Sequence, residues 1–220
     1  MTAQPFTLKA TKPYKMKYAL ICFLLNLAVA NAIYFFSVAP VSTNFLETAE
    51  WIFESNVTLP LTLDQCWDIL TDDGAWEYWH PEVRSIENTV GTPGTVGSER
   101  TIVFGDWVIG LLVGGPFRIQ EVFDSWENDA SSDTRRYSMY YKGVTRPNAF
   151  TYSRGKEEFV CQRISDSETR FTRTVALDPG FLANMLSFIA YARLENVFEV
   201  LCPERLLESI EAGRLPRAER

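Results

Sequence analysis

The sequence predicts an α+β domain in which a curved antiparallel sheet of about six or seven strands packs around a long C-terminal helix. One N-terminal transmembrane helix is expected to precede this domain. Residues 51–59 alternate with a period of two, which is typical of a half-buried strand, and residues 83–177 form a further run of strand-like segments. From residue 181 the pattern takes the period of a helix. Because the strands follow one another without long helices between them, an antiparallel sheet with short hairpins is favoured.

The predicted membrane anchor is the uncharged apolar segment 18–39, which follows a basic tail at residues 1–17. As a helix it would be about 33 Å long, enough to cross the hydrocarbon core. The tail holds only basic charges and the first charges after the segment are acidic, so we expect a cytoplasmic N-terminus and a domain across the membrane. A cleaved signal peptide, with Ala28-Val29-Ala30 as the cleavage motif, is the alternative and would give a secreted protein.

The domain is expected to begin with a strand at residues 51–59, where one face of the alternating pattern is mostly apolar. Thr62 and Gln65 have the spacing of a capping box and predict the start of a helix. Asp72-Asp73-Gly74 should end that helix, and a second short helix is expected through Trp76 to Trp79.

Six further strands are expected, separated by polar or Gly/Pro turns. Their predicted ranges are 83–88, 97–104, 117–126, 135–141, 150–164 and 169–177. The last helix should kink or restart at Pro203 and continue to about residue 212. The predicted parts of the chain are therefore a tail (1–17), an anchor (18–39), a linker (40–50), the domain (51–213) and a C-terminal tail (214–220).

Charge and cysteine content exclude several functions. Residues 1–40 contain four lysines and no acidic residue, so the remainder has 17 basic and 28 acidic residues and a net charge of −11. Such a domain repels phosphate backbones, and nucleic acid is not an expected partner. The scattered Cys66, Cys161 and Cys202 predict buried thiols and no disulfide framework. With one histidine and no paired cysteine motif, no metal site and no cofactor are expected.

Two blocks of sequence carry a resemblance to a known family. Residues 57–83, VTLPLTLDQCWDILTDDGAWEYWHPEV, combine a strand, a helix containing WDIL, and a W-x-x-W-x-P pattern at Trp76, Trp79 and Pro81. Residues 94–104, GTVGSERTIVF, and the long C-terminal helix fit the same pattern. The chain thus resembles the START/birch-pollen-allergen-like helix-grip superfamily (SRPBCC), and its polyketide cyclase/dehydrase and lipid-transport branch is the most similar.

The resemblance implies a helix-grip fold over residues 51–213, with a cavity between the sheet and the helix. This chain departs from the pattern at Pro203, in a helix that is usually continuous, and at residues 106–116, an apolar Gly-rich insertion. The insertion could dip into the membrane, cover the cavity or form a buried strand. Because the family includes carriers, ligand sensors and a few enzymes, the fold alone does not decide the function.

The candidate ligand-binding side chains are those expected to face inward, toward the cavity: Trp76, Trp79, His80, Arg100, Phe104, Tyr140, Phe171, Phe188 and Ile189. The two tryptophans could stack on a flat ligand or serve as core. His80 could be a general acid or base, or a turn residue that bonds the backbone. One arginine among Arg100, Arg136 and Arg173 is expected to face inward as a polar anchor.

Three functions are compatible with these features. The leading hypothesis is membrane-anchored binding or transfer of a hydrophobic small molecule, such as a lipid, an isoprenoid or a polyketide-like compound. The alternative is a cyclase or dehydratase that uses His80 or a buried carboxylate/tyrosine pair. The third is an assembly module with a filled interior.

Overall fold

The computed structural model describes residues 36–37, 40–105, 118–144 and 152–215. Its strands are β1 (Phe36–Ser37), β2 (Trp51–Leu59), β3 (Val83–Val90), β4 (Glu99–Phe104), β5 (Arg118–Glu127), β6 (Thr134–Val144), β7 (Tyr152–Arg163) and β8 (Thr169–Pro179). They form one sheet in the order β2-β8-β7-β6-β5-β4-β3, with every pair antiparallel and the short β1 paired with β6.

The helices that follow β2 pack on one face of this sheet, and the space between them and that face is called the interior below. The helices are α1 (Phe45–Thr48), α2 (Leu63–Thr71), α3 (Trp76–Trp79), α4 (Phe181–Met185), α5 (Ser187–Glu195) and α6 (Cys202–Glu211), with a 3₁₀ turn at Asp73–Ala75 and a π-helical segment at Asn196–Leu201. Helix α2 contacts β7 and β8, whereas α6 contacts β2 and α3.

The α+β fold and its order of elements are confirmed. Strand β2 alternates between buried and exposed residues, as its sequence predicts. The capping box at the start of α2 is present, because the Gln65 N–H donates to Thr62 Oγ1 at 3.2 Å and the Thr62 N–H donates to Gln65 Oε1 at 3.0 Å. The predicted strands are found with ends shifted by a few residues.

Pro203 is accommodated by a change of helix type. The Cys202 N–H donates to the Val197 carbonyl, five residues earlier, so the preceding segment is π-helical. Pro203 then lies in the first turn of α6, where a missing N–H leaves no helical bond unmade. The C-terminal helix is therefore a chain of shorter pieces instead of the single helix usual in the resembled family.

The predicted membrane anchor lies almost entirely outside the described residues. For the last part of this segment the predicted helix is wrong, because Phe36 and Ser37 form strand β1 against Val144 and Gly143. Across the described ranges, no helix is both long enough and apolar enough to cross a membrane. The apolar insertion 106–116 also lies outside the described residues.

The expectation of three separate thiols is wrong. Cys66 of α2 and Cys161 of β7 form a buried disulfide with 6.4 Å between their Cα atoms, and Cys202 is a free, buried thiol. The two bonded cysteines are 95 residues apart in sequence. Sequence spacing does not reveal this pair, because only the packing of α2 across the sheet brings the two residues together.

Candidate functional site

The first polar group of the interior is centred on Arg100 of β4, which is 1% exposed. Its Nε donates to Glu121 Oε2 at 3.0 Å, and its Nη1 donates to Asp73 Oδ1 at 2.9 Å. The guanidinium carbon lies 4.5 Å from the ring centroid of Trp76. A buried cation is thus held by two carboxylates and an aromatic face.

The second polar group is centred on Arg173 of β8. Its Nη2 and Nε donate to Glu157 Oε2 at 2.8 Å and 3.2 Å, and its Nη1 lies 3.6 Å from Cys202 Sγ. Glu157 Oε1 accepts the hydroxyl proton of Tyr141 at 2.7 Å. The interior therefore contains a buried carboxylate bonded to both an arginine and a tyrosine.

Strand alternation explains why these carboxylates face the interior. Glu121 lies between Ile119 and Phe123 at alternate positions of β5, and Glu157 precedes Phe159 in the same way on β7. Because side chains of a strand point to opposite faces in turn, the acids share the face of their apolar neighbours. Neither acid is among the site residues predicted from the sequence, although a carboxylate in phase with buried residues is a signal that could have revealed both.

The buried charges influence one another. The pKa of Glu121 is raised to about 7, mainly by burial, while Arg100 opposes the shift and the Glu157 carboxylate adds to it. Burial alone would lower the pKa of Arg173, but the adjacent Glu157 outweighs it and the net shift is upward. Burial raises the pKa of Cys202 to about 12, so this residue remains a thiol.

His80 is buried and neutral. Burial is the main cause that lowers its pKa well below its ordinary value, and Arg173 adds to the effect. The Glu82 N–H donates to His80 Nδ1 at 3.3 Å, so the predicted bond to backbone is confirmed. Since Nδ1 accepts, the ring hydrogen is assigned to Nε2, which is available as a donor.

Four buried side-chain atoms of this region lack a hydrogen-bond partner among the described residues: Trp79 Nε1, His80 Nε2, Arg100 Nη2 and Glu121 Oε1. Unpaired buried polar atoms are uncommon in native structures and call for an explanation. By their chemistry the set comprises three donors and one acceptor.

Aromatic rings surround these atoms. Trp76 lies 4.8 Å from Trp79 and 6.1 Å from His80 between ring centroids. Phe104 and Phe198 contact the His80 ring edge-to-face. Beside Arg100 the described residues leave a void of about 10 Å³, which is room for about one water molecule. The interior thus combines a tightly packed aromatic lining with unpaired polar atoms.

The structure brings six predicted site residues together in the interior: Trp76, Trp79, His80, Arg100, Phe104 and Phe171. Two of the three candidate arginines face inward, Arg100 and Arg173, whereas Arg136 is half exposed and bonded to Glu127 at 2.7 Å.

Three other predicted positions do not face the interior. Phe188 and Ile189 are 76% and 56% exposed, so the expectation that they face inward is wrong. Tyr140 lies between the buried Met139 and Tyr141 and therefore points to the opposite face of the sheet. There it helps to line a surface cavity of about 560 Å³ that also contacts residues 40–43 of the linker.

Replacing Gly155 with alanine is expected to destabilise the fold by about 1–3 kcal/mol through overpacking. A Cβ at this position would overlap the Tyr141 ring, which lies directly over the glycine and reaches Glu157. Urea denaturation measures the change. In a double-mutant cycle with Tyr141→Ala, the cost of Gly155→Ala should largely vanish. A cost that persists in the Tyr141→Ala background would contradict this explanation.

Comparisons with known proteins agree with the architecture. The sequence model of the family described as "Polyketide cyclase / dehydrase and lipid transport" matches residues 50–199. An uncharacterised protein of Mycobacterium tuberculosis strain H37Rv is 29% identical over 87 residues, which are 40% of this chain and 47% of that protein. A protein of Mycobacterium bovis gives the same values. The chain thus matches about half the length of these relatives.

Solved structures with low sequence identity share the fold. A Thermus thermophilus protein has a TM-score of 0.55 and 14% identity, over 74% of this chain and 99% of that chain. The Zhui aromatase/cyclase of a Streptomyces species has a TM-score of 0.52 and 13% identity, over 76% and 96% of the two chains. A hypothetical protein of Helicobacter pylori has a TM-score of 0.54 and 11% identity, over 79% and 96%. At these identities the similarity concerns the fold alone.

Proposed function

Since this chain belongs to the polyketide cyclase/dehydrase and lipid transport family of the START-like helix-grip superfamily, we propose that it binds a hydrophobic small molecule between its sheet and its C-terminal helix. The observation that carries this proposal is the set of four unpaired polar atoms inside an aromatic lining. Each such atom is costly to bury without a partner. A ligand that supplies the partners while burying apolar area would gain from both effects.

The polar atoms define the chemistry of the ligand. Trp79 Nε1, His80 Nε2 and Arg100 Nη2 donate, so the ligand should present carbonyl, ether or hydroxyl oxygens to them. Glu121 Oε1 accepts, and a ligand hydroxyl would satisfy it. An oxygenated apolar compound, such as a polyketide-like molecule, an isoprenoid or a lipid with a small polar head, meets these requirements.

We also propose that the domain is held at a membrane by residues 18–39, with the N-terminus cytoplasmic and the domain on the opposite side. The basic residues before this segment and the acidic residues after it support that orientation. The Cys66–Cys161 disulfide supports it independently, because disulfides persist in oxidising compartments outside the cytosol.

The test is native mass spectrometry of the full-length chain in detergent, followed by organic extraction. We expect a co-purifying oxygenated apolar compound at about one molecule per chain. Trp79→Phe removes one unpaired buried donor and should lower the occupancy, whereas Trp126→Phe, at a partly buried tryptophan outside the set of unpaired buried atoms, should not. A mass equal to that of the chain alone, unchanged after incubation with lipid extract, would refute the proposal.

A cyclase or dehydratase is the second candidate function. Two observations favour it: Glu121 has a pKa near 7, suited to general acid or base catalysis, and Tyr141 and Glu157 form the buried carboxylate/tyrosine pair that such an enzyme could use. If the extracted compound loses water or cyclises on incubation with the protein, the enzyme hypothesis holds. Glu121→Gln should then abolish turnover while Arg136→Met retains it. Recovery of an unaltered compound favours a carrier.

A further inference from the structure

The start of the domain lies at one end of the sheet. Phe36 of β1 pairs with Val144 at the end of β6, and Val144 pairs with Ile119 near the start of β5. At the edge of the sheet formed by β2, Trp51 at the start of this strand pairs with Leu177 near the end of β8. Antiparallel pairing puts all of these residues at the same end, which is called the N-terminal end below.

Helices α4 and α5 leave the sheet at this N-terminal end and carry an exposed apolar surface. Met185, Leu186, Phe188 and Ile189 are 60%, 40%, 76% and 56% exposed. No charged residue lies between Asp178 and Arg193. Single exposed apolar side chains are ordinary, but four within five residues of an uncharged stretch are typical of an interaction surface. These four residues are called the α4–α5 apolar surface.

The linker after the predicted anchor is fixed beside the start of α4. The Glu50 N–H donates to Asp178 Oδ1 at 3.1 Å, and Arg154 Nε donates to Asp178 Oδ2 at 2.8 Å. Phe45 of α1 is buried, and the Arg154 guanidinium lies 5.3 Å from its ring centroid. Asp178 lies two residues before Gly180, after which α4 begins. The chain therefore enters the domain next to the α4–α5 apolar surface.

We propose that the α4–α5 apolar surface docks on the lipid bilayer in which residues 18–39 are anchored. This inference rests on the membrane anchoring given under Proposed function. An anchor that enters beside the surface holds it at high effective concentration near the lipid, so even weak apolar contacts are sufficient. The domain carries a net charge of −11 outside the first 40 residues, so apolar burial and not attraction to anionic lipid drives the docking.

Photo-crosslinking of the full-length chain in phosphatidylcholine vesicles tests this surface. The photoreactive amino acid p-benzoylphenylalanine replaces Phe188 in one variant and Val96 in another. Val96 is a matched control, because it is 63% exposed and lies in the turn between β3 and β4, at the opposite end of the sheet. We expect at least about tenfold more lipid adduct from position 188, and little change when anionic lipid is added.

The outcomes separate docking from anchoring. Equal lipid labelling at positions 188 and 96 would overturn the proposed docking on lipid. A protein adduct at position 188 in place of the lipid adduct would also overturn it, and would assign the surface to a protein partner or a second copy of the chain. Alkaline carbonate extraction of the same vesicles reports on the anchor alone. A chain released by carbonate disproves the anchoring, whereas a retained chain without lipid adduct at 188 disproves only the docking.

Discussion

Replacing Arg173 with methionine is expected to lower the free energy of unfolding by about 3–5 kcal/mol, because it leaves a buried carboxylate without its cation. Arg173 is 2% exposed, and two of its nitrogens donate to Glu157. Its guanidinium carbon also lies 4.8 Å from the Phe198 ring centroid, so packing between the sheet and the π-helical segment is lost as well. Chemical denaturation of the variant and the wild type measures the difference.

The matched control is Arg136→Met, which removes an arginine from a half-exposed ion pair with Glu127. Exposed pairs contribute about 0–1 kcal/mol, so this change should be small. The double variant Arg173→Met/Glu157→Leu removes both buried charges and should recover part of the loss. If Arg173→Met costs no more than Arg136→Met, the buried pair is not a major contributor to stability.

The loss should also depend on pH in a defined direction. Without Arg173, the carboxylates of Glu157 and Glu121 remain in the interior with Arg100 as the cation bonded to one of them. A buried carboxylate without a cation has a raised pKa in the folded state. Such a group contributes stability at low pH that is lost as the pH rises through its folded-state pKa. The deficit of Arg173→Met relative to the wild type should therefore be smaller at acidic than at neutral pH.

The period of the hydrophobic pattern was sufficient to predict most of the fold. Strand β2 and helix α2 follow from local signals, namely the alternation of residues 51–59 and the capping box of Thr62 and Gln65. The expectation for Phe188 and Ile189 failed because helical periodicity identifies an apolar face without saying what covers it. The break at Leu186, between α4 and α5, also changes the phase of the pattern.

The candidate site was predictable only in part. Trp76, Trp79 and His80 were found because they are adjacent in sequence and carry a recognisable pattern. The pairing of Arg100 with Glu121 depends on the register between β4 and β5, and that of Arg173 with Glu157 on the register between β7 and β8. Such contacts join residues far apart in sequence, and the spacing of residues along one strand contains no information about them.

Removing the disulfide with Cys66→Ala/Cys161→Ala is expected to lower the free energy of unfolding by about 2–5 kcal/mol. The bond closes a loop between residues 95 positions apart, and a crosslink over a long loop restricts the unfolded chain strongly. It also ties α2 to a central strand of the sheet, so its loss should loosen the packing of this helix on the sheet. Thermal or chemical denaturation measures the change.

A reductant distinguishes the crosslink from simple packing of two small side chains. Dithiothreitol should destabilise the wild type to nearly the level of the double variant and leave the double variant unaffected, because no other disulfide joins the described residues. Free Cys202 does not interfere, since burial keeps it as a thiol.

Equal stability of the wild type with and without reductant would contradict the crosslink and, with it, the independent support for an oxidising compartment. A reductant-sensitive wild type would instead mean that the domain reaches full stability only where disulfides form, which agrees with a domain on the far side of the membrane.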